Sequence, residues 1–422
     1  MDVFSKVNQM SAIHINNTSQ ITETSSIANK NRLYYLDWLR VLAMLSVFFY
    51  HCDRFFEYRN YPIQNITRSM VSTIHRELFQ IWLMPIFFVI SGAAVVYSLQ
   101  SQSALAFIKS RVLRILIPFV FIGLFVISPP QIYVERLING EFVGSFFQWY
   151  PNYFNGFYLF SPNGNFPIFG MHLWYLDYLF FFSLILLPIF IVHRKKRTSI
   201  LSLISVYFIH PLWILSLSLP LLIVAFLTEL SGFATLRMAG GWDPLSYLLF
   251  FALGYMIFSN AQIQGTIKKH SSAFLIVSIL LTVLYLFIGF GIDSPYTSII
   301  TRHNIIHNAT ATSSQIPLAW LCVLSLRSVV AWCWILSLLG LCARFLNLKN
   351  RFLEYANEAV LPFYILHQTF LLVIGYFVIQ WRFNILSKYL IIVFASFVLI
   401  MLVYELLVRR VDVFRFLFGM KV

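Results

Sequence analysis

The chain has 422 residues, of which 59% are hydrophobic and 11% are charged, and its formal net charge is +14. A soluble protein has about 25% charged residues, so this composition excludes a soluble globular protein. The basic residues cluster at the ends of apolar segments, as at 194–197 and 409–410, which excludes a nucleic-acid-binding face. The sequence predicts an all-α polytopic membrane protein that is embedded in a lipid bilayer.

Apolar runs between residues 33 and 410 predict a bundle of about ten transmembrane helices. The fifth run is ambiguous, because Pro211 and Pro220 interrupt residues 200–228, which predicts either one bent span or a span with a re-entrant piece. Residues 1–32 are predicted to be a disordered polar cytoplasmic tail, 33–410 the membrane domain and 411–422 a short cytoplasmic tail. The predicted helices cover about 36–53, 78–99, 112–130, 172–192, 200–219, 244–260, 271–290, 316–341, 357–379 and 386–407.

The distribution of Lys and Arg between the loops predicts the orientation. Ten spans place both termini on one side, and the loops on that side carry more Lys and Arg than the opposite loops. The positive-inside rule therefore predicts a multi-pass protein of the plasma (cell inner) membrane with both termini cytoplasmic. Four arginines in the first outer loop oppose this bias locally, namely Arg54, Arg59, Arg68 and Arg76.

The first predicted helix carries Arg40 and His51, eleven residues apart. Eleven residues turn an α-helix by about 1100°, so both side chains lie on one face, about 16 Å apart. An unpaired ionisable residue inside a bilayer costs at least about 2.5–3.5 kcal/mol, which favours a functional polar seam. An imidazole can take a proton from a hydroxyl, and a guanidinium can stabilise negative charge. Asp37 lies three residues before Arg40 and can orient it, whereas the alternative for Arg40 is an interfacial anchor.

A second basic group lies at the start of the third predicted helix, with Lys109, Arg111 and Arg114. Arg111 and Arg114 are at i and i+3, so they share a helix face and could bind a phosphorylated ligand through paired hydrogen bonds. The alternative is the ordinary enrichment of arginine at cytoplasmic helix ends.

Further polar residues lie inside the predicted spans. His172 and Trp174 begin the fourth helix, and His367 lies in the middle of the ninth. Each alone is more often a satisfied core group than a catalyst, but several that point into one cavity would form a site. Pro85 predicts a kink in the second helix, and Ser91-Gly92 predicts a close approach of a neighbouring backbone. The other members of this group are Asp177, His210, Arg327, Glu358 and Glu405.

The loop at 131–171 is rich in Asn, Gly, Pro and aromatic residues. Such a composition suits a sugar-binding surface, because aromatic rings stack on sugars and amides bond hydroxyl groups. An aromatic belt at the membrane interface explains it equally well. The four cysteines have no metal-like spacing, and no metal site is predicted.

These motifs together resemble the membrane-bound acyltransferase-3 family over about 33–410. The family's Leu-Asp-x-Leu-Arg and Arg-x10-His motifs match Leu36 to His51, and its Pro-x-Phe-Phe-x-Ile-Ser-Gly motif matches 85–92. Its Arg-x-x-Arg motif matches Arg111 and Arg114, and a His-Leu-Trp-Tyr-Leu start occurs at 172–176. The segments at 242–255 and 364–368 resemble the glucan-modifying branch.

The resemblance implies transfer of an acyl group from cytoplasmic acyl-coenzyme A, with acetyl-CoA as the expected donor and succinyl-CoA as the second choice. The acceptor would be an envelope glycan or a lipid-linked carbohydrate. It implies that His51 is the catalytic base, with Arg40 assisting, and that Arg111 and Arg114 contact coenzyme A phosphates. From the residues themselves we expect Asp37 to orient Arg40, and we place Lys109 with the two arginines at the coenzyme A site. We expect His172, Trp174 and His367 to bind substrate. The chain ends just past the tenth helix, so we expect no fused hydrolase-like domain, and either direct transfer or a separate partner protein.

The rival hypothesis is a transporter or flippase for an anionic or glycan substrate, since intramembrane charges also line translocation paths. No internal repeat is visible in the sequence, which counts against the symmetry that many transporters have.

Overall fold

The computed structural model of the protein describes residues 33–59, 61–158, 164–195, 207, 209–231, 240–290 and 318–421. These residues fold into helices, and the described part holds no β-structure beyond one isolated bridge between Phe157 and Phe166. The predicted all-α class is therefore confirmed. The predicted disordered tail at 1–32 lies outside the described residues.

The helices are numbered here in chain order. Three of them contain a local irregularity but continue as one element. They are α1 (Tyr34–Asp53), α2 (Met70–Ser101), α3 (Ala104–Ile138), α4 (Trp174–Ile185), α5 (Leu187–Lys195), α6 (Pro211–Thr228), α7 (Pro244–Phe258), α8 (Ala261–Lys269), α9 (Ser271–Phe290), α10 (Leu318–Phe345), α11 (Arg351–Val378), α12 (Ile385–Val408) and α13 (Asp412–Leu417).

Seven of the described helices are long and apolar enough to cross a membrane, and two bent helix pairs raise the number to nine if each pair is one span. The predicted polytopic architecture is thus confirmed. Helix α1 is outside this count, since it contains Asp37, Arg40, His51 and Asp53 within twenty residues. Among the described residues, the predicted number of ten is reached only when α1 is also counted as a span.

Two predicted helices are not continuous. The segment predicted at 172–192 is the pair α4 and α5, bent by 45°, because Pro188 cannot donate a backbone hydrogen bond to the preceding turn. The segment predicted at 244–260 ends at Phe258, where α8 turns away by 98°. Of the predicted fifth helix, the described residues contain α6, which begins at Pro211 with His210 as its N-cap. Residues 200–206 lie outside the described part of the chain.

Helices α2 and α7 cross at two glycines. A Cβ atom at Gly92 would collide with the backbone of Phe251 and Tyr255, and one at Gly254 would collide with the backbone of Val89. Small residues at such a crossing let two helix backbones touch, which is a common basis of packing in membranes. The close approach predicted at Ser91-Gly92 is confirmed, and it places this segment of α2 against α7.

Helix α1 lies inside the bundle, in contact with α2, α10, α11 and α12. Its core-facing residues are almost fully buried, including Phe48 and Cys52 at 0% exposure. At its first turn the Trp38 indole donates a hydrogen bond to the Leu348 carbonyl, 3.0 Å away, in the segment before α11. Helix α1 is therefore fixed against α11 along its length, and this contact positions the candidate site.

Candidate active site

Helix α1 presents Arg40 and His51 to the same neighbour, α11. Arg40 Nη1 donates a hydrogen bond to Asn357 Oδ1 at 3.1 Å, and the ring centroids of His51 and His367 are 5.3 Å apart. Asn357 and His367 are ten residues apart in α11, or about 15 Å along the helix axis. Arg40 and His51 are expected to lie about 16 Å apart along the axis of α1. The two separations agree, so α1 and α11 contact each other through polar side chains at two heights in the bundle. We call the contact of Arg40 with Asn357 the Arg40 level, and the contact of His51 with His367 the His51 level.

At the Arg40 level the guanidinium has two partners. Arg40 Nη1 lies 3.4 Å from Asp37 Oδ1, and the side chains are 32% and 12% exposed, respectively. Asn357 is the second partner. A guanidinium has five N–H donors in a rigid fork, so an acid on one helix and an amide on another fix its direction. Asp37 therefore lies where the sequence predicts it, beside Arg40.

Arg111 lies close to the Arg40 level, within electrostatic range of Arg40 and Arg114. Its guanidinium stacks over the Phe107 ring at 4.6 Å. Within the described residues, no carboxylate forms an ion pair with Arg111, Arg114 or Lys109, and Arg114 and Lys109 are exposed. This end of α3 thus carries positive charge that no acidic side chain balances.

At the His51 level three histidines from three elements come together. The His367 ring lies 5.3 Å from His51 and 5.1 Å from His172, between centroids. His172 precedes α4, so the cluster joins α1, α4 and α11. The described residues contain no group of three or more His, Cys, Asp or Glu arranged to hold a metal ion.

The hydrogen bonds of the three imidazoles differ. His172 Nδ1 accepts from the Gln131 side chain at 3.1 Å, and its Nε2 donates to the carbonyls of Tyr364 and Ile365 at 3.3 and 3.2 Å. Both nitrogens of His172 are therefore used by the protein. His367 Nδ1 donates to the Tyr364 carbonyl at 2.7 Å. In contrast, the buried nitrogens His367 Nε2 and His51 Nδ1 have no hydrogen-bond partner among the described residues.

A line of hydroxyl groups connects the two levels. Tyr175 lies within electrostatic range of Arg40 and Arg111, and its hydroxyl is 2.7 Å from that of Ser91. The rings of Tyr175 and Tyr364 are 5.9 Å apart. Tyr364 then donates its hydroxyl proton to the His172 carbonyl at 2.6 Å. Polar groups thus extend from the unbalanced arginines to the histidine cluster through the middle of the bundle.

Trp174 lies apart from this cluster, although it is only two residues from His172. Its ring packs against Phe88, Tyr178 and Tyr247, with centroid separations of 6.3, 5.3 and 5.1 Å. One helical residue turns by about 100°, so neighbouring side chains leave α4 in different directions. The structure therefore does not bring Trp174 to the histidines.

The arginines after α1 are paired with acids. Glu57 lies 2.7 Å from Arg54 and 3.0 Å from Arg76, and Glu77 bonds Arg76 and lies 2.8 Å from Arg59. The Glu57 side chain is 0% exposed, and burial raises its pKa against the opposing effect of Arg54 and Arg76. Three of the four arginines that oppose the predicted orientation thus form a buried ionic network.

This network contacts the histidine cluster through Tyr61. The Arg54 guanidinium stacks over the Tyr61 ring at 4.5 Å, and the Tyr61 hydroxyl accepts a hydrogen bond from Gln368, next to His367. Burial raises the pKa of Tyr61 to about 12, so the phenol stays neutral at physiological pH. Arg54 also lies within electrostatic range of His51. The ionic network therefore closes the His51 level at the end of α1.

The aromatic loop after α3 divides into buried and exposed rings. Trp149 and Tyr153 form a small core with Ile132, whereas Phe154 and Phe157 are each 52% exposed. The loop is held by Arg136, which donates to Asn165 Oδ1 and to the Gly164 carbonyl, both at 2.8 Å. Its buried rings thus stabilise the loop, and only the exposed rings are available to a ligand or a membrane.

Sequence reasoning missed the residues that hold the site together. Asn357, Tyr175, Tyr364 and Gln131 were not singled out, because neutral polar side chains in an apolar run carry a weaker signal than charges. The charged neighbour Glu358 was noted instead, and it pairs with Arg415 at 3.3 Å, away from Arg40. A useful signal was present in the hydroxyl groups of Tyr175 and Tyr364, which flank His172 and His367 in sequence.

The fold and this site define a multi-pass α-helical membrane protein with a polar seam between buried helices. A family model described as an acyltransferase domain, of acyltransferase family 3, matches residues 33–405, nearly the whole chain. The chain therefore belongs to this family and is a membrane acyltransferase that transfers groups other than aminoacyl groups. The family resemblance is confirmed, while the glucan-modifying branch stays a prediction. No curated protein and no solved structure matches the chain significantly.

Proposed function

We propose that this protein is an integral-membrane O-acyltransferase that moves an acyl group from cytoplasmic acyl-CoA to a hydroxyl of an envelope carbohydrate. Acetyl is the expected group, and succinyl is the second choice. The single observation that carries the proposal is the pair of polar levels between α1 and α11. One level holds a fixed arginine beside unbalanced positive charge, and the other holds imidazoles with unused buried nitrogens.

The proposed chemistry needs one proton acceptor. The hydroxyl oxygen of the acceptor attacks the thioester carbonyl carbon while His51 takes the hydroxyl proton. The carbon–sulfur bond then breaks, and the thiolate receives that proton from the His51 imidazolium. The products are the ester and free coenzyme A. Proton transfer by a placed side chain contributes about 10²–10⁴-fold in rate, and the thioester is already activated for attack.

The donor would enter from the end of the bundle where Arg111 and Arg114 lie. Neither guanidinium has a carboxylate partner among the described residues, so both would be able to pair with the phosphates of coenzyme A, with Lys109 as a further cation. The line of hydroxyl groups at Tyr175 and Tyr364 supports a path for the pantetheine arm to the His51 level. Arg40, held by Asp37 and Asn357, would stabilise negative charge along this path.

The acceptor would meet the donor at the His51 level. His367 is adjacent to His51 and suits a role in substrate binding, and His172 borders the same space with both nitrogens engaged. Trp174 is separated from them, so its proposed role in binding would have to be through a different part of the acceptor. The exposed rings of the aromatic loop offer apolar surface for a sugar. The protein would lie in the plasma membrane with both termini cytoplasmic.

The test is transfer of radiolabelled acyl groups from acetyl-CoA or succinyl-CoA in membranes that contain the envelope acceptor. We expect label in an envelope carbohydrate with the wild-type protein, none with His51→Ala, and a reduced amount with Arg111→Ala. His193→Ala is the matched control, because His193 of α5 bonds the Tyr255 hydroxyl at 3.1 Å and lies outside the proposed site. Normal transfer by His51→Ala, or no transfer by the wild-type protein from either donor, would contradict the proposal.

A further inference from the structure

His51 of α1 and His367 of α11 each have one buried ring nitrogen without a hydrogen-bond partner among the described residues. His367 Nδ1 lies 2.7 Å from the Tyr364 carbonyl, and a carbonyl oxygen can only accept. Nδ1 of His367 therefore carries the ring proton, and in the neutral ring Nε2 carries a lone pair. This Nε2 is buried without a partner among the described residues, and His367 is 0% exposed. A buried acceptor of this kind costs free energy until a donor reaches it.

His51 offers the nearest matching group. Its Nδ1 is also buried and has no partner among the described residues, and its ring centroid is 5.3 Å from that of His367 with the planes tilted by 51°. The structure as it stands does not join these two nitrogens by a hydrogen bond, so the rings must reorient slightly before they bond. Catalytic hydrogen bonds are often long in a ligand-free enzyme and shorten when the substrate binds.

We propose that His367 is a positioning residue that accepts the Nδ1 proton of His51 and so sets the tautomer of the catalytic base. The chain of groups runs from the Tyr364 carbonyl to His367 Nδ1–H, then from His367 Nε2 to His51 Nδ1–H. This leaves the lone pair of His51 on Nε2, from which it takes the proton of the acceptor hydroxyl. The inference rests on the proposed function, and it changes the role of His367 from substrate binding to orientation of His51.

In nucleophilic active sites a third group commonly orients the base, and His367 would orient His51 in the same way. Here the third group is neutral, and a backbone carbonyl fixes it in turn. His172 cannot replace it, because Gln131 and the carbonyls of Tyr364 and Ile365 occupy both of its nitrogens. His172 instead packs against the His367 ring at 5.1 Å, which limits the rotation of that ring.

The test compares His367→Ala with His367→Gln in the membrane-embedded full-length protein. We expect His367→Ala to lower kcat for acyl transfer about 10²-fold, with little change in KM for acyl-CoA or for the acceptor. A glutamine carbonyl oxygen can accept the His51 Nδ1 proton, so His367→Gln is expected to recover at least about tenfold of that loss. His193→Gln is the matched control and keeps the wild-type kcat. Thermal unfolding and acyl-CoA binding confirm that each variant is folded.

Four results would overturn the inference. A wild-type kcat for His367→Ala, with His51→Ala inactive, would remove the relay and leave the proposed function intact. A raised acceptor KM at unchanged kcat would assign His367 to substrate binding instead. Equal losses in His367→Ala and His367→Gln, together with a lower unfolding temperature in both, would assign it a structural role only. Absence of transfer by the wild-type protein would overturn the proposed function and the relay with it.

Discussion

Asn357 of α11 accepts a hydrogen bond from Arg40 of α1 at 3.1 Å, and this bond is the cross-helix contact of the Arg40 level. Asp37 binds the same guanidinium nitrogen from within α1, at 3.4 Å. An acid on one helix and an amide on the next together fix a long, flexible side chain in one direction. The bond therefore couples the position of α11 to the direction of the Arg40 charge.

The first prediction concerns this bond. Asn357→Ala removes one of the two hydrogen-bond partners of Arg40 described above and leaves only Asp37 of the two. The guanidinium can then rotate away from the site. Loss of a hydrogen bond to a charged group costs about 1.5–3 kcal/mol, so we expect transfer activity to fall by about ten- to a hundredfold. The measurement is kcat/KM for acyl-CoA. Gln380→Ala, at the solvent-exposed end of the same chain segment, is the control, and equal activities of the two variants would contradict the prediction.

The second prediction concerns the arginines at the start of α3. Arg111→Ala and Arg114→Ala are each expected to raise KM for acyl-CoA about tenfold with little change in kcat, because a charge-assisted hydrogen bond to a phosphate is worth about 1.5–3 kcal/mol. With acyl-pantetheine, which lacks the phosphates, these variants should match the wild-type protein. A steady-state comparison of the two donors measures this directly.

The control for this pair is Arg344→Ala. Arg344 stacks over the Phe345 ring at 5.1 Å and is outside the proposed site, so its loss should leave both donors unaffected. If Arg111→Ala or Arg114→Ala slowed transfer from both donors to the same extent, these arginines would support the structure of the helix bundle and would not bind the phosphates.

The third prediction uses the hydroxyl pair of Ser91 and Tyr175, which lie 2.7 Å apart. Ser91→Ala and Tyr175→Phe each remove one partner, and each is expected to lower the free energy of unfolding by about 1 kcal/mol. Since both remove the same bond, the double variant should lose clearly less than the two single losses together. Thermal unfolding in detergent, with ligand-free protein, measures the coupling, and strictly additive losses would show that this bond contributes nothing.

Sequence reasoning predicted those features of this protein that depend on spacing within one helix. The common face of Arg40 and His51 follows from eleven residues of helix geometry, and the close packing at Gly92 follows from a side chain too small to separate two backbones. Both appear in the structure. Such features need no knowledge of how helices rotate relative to each other.

The features that depend on helix rotation were not predictable. Helix α3 contains two π-helical segments, Val112–Leu116 and Pro118–Ile127, and each extra residue per turn changes which side chains face the bundle. Gln131 lies after both segments and donates a hydrogen bond to His172 Nδ1 at 3.1 Å. Likewise, nothing in the local sequence shows that both nitrogens of His172 are used while one nitrogen of His367 is not.

The fourth prediction tests the helix crossing. Gly92→Ala and Gly254→Ala place a Cβ atom against backbone that cannot move aside, and overpacking of this kind costs about 1–3 kcal/mol. Gly265→Ala in α8 is the matched control, since nothing lies within 4 Å of its Cβ position. There the substitution should be neutral or stabilise by about 0.5–1 kcal/mol, because alanine favours a helix. An unfolding temperature of Gly92→Ala or Gly254→Ala as high as that of Gly265→Ala would contradict this account of the crossing.

The last prediction concerns Glu57, which pairs with Arg54 and Arg76 in the buried ionic network. Glu57→Gln removes the charge that both guanidiniums face, and breaking a buried pair from one side costs about 3–5 kcal/mol because an uncompensated charge remains. Glu354→Gln is the control, since Glu354 and Lys349 form an exposed pair worth about 0–1 kcal/mol. Because Arg54 lies within electrostatic range of His51 and stacks on Tyr61, transfer activity should fall only in Glu57→Gln. Equal stability of the two variants would show that the network is open to water and has no part in closing the His51 level.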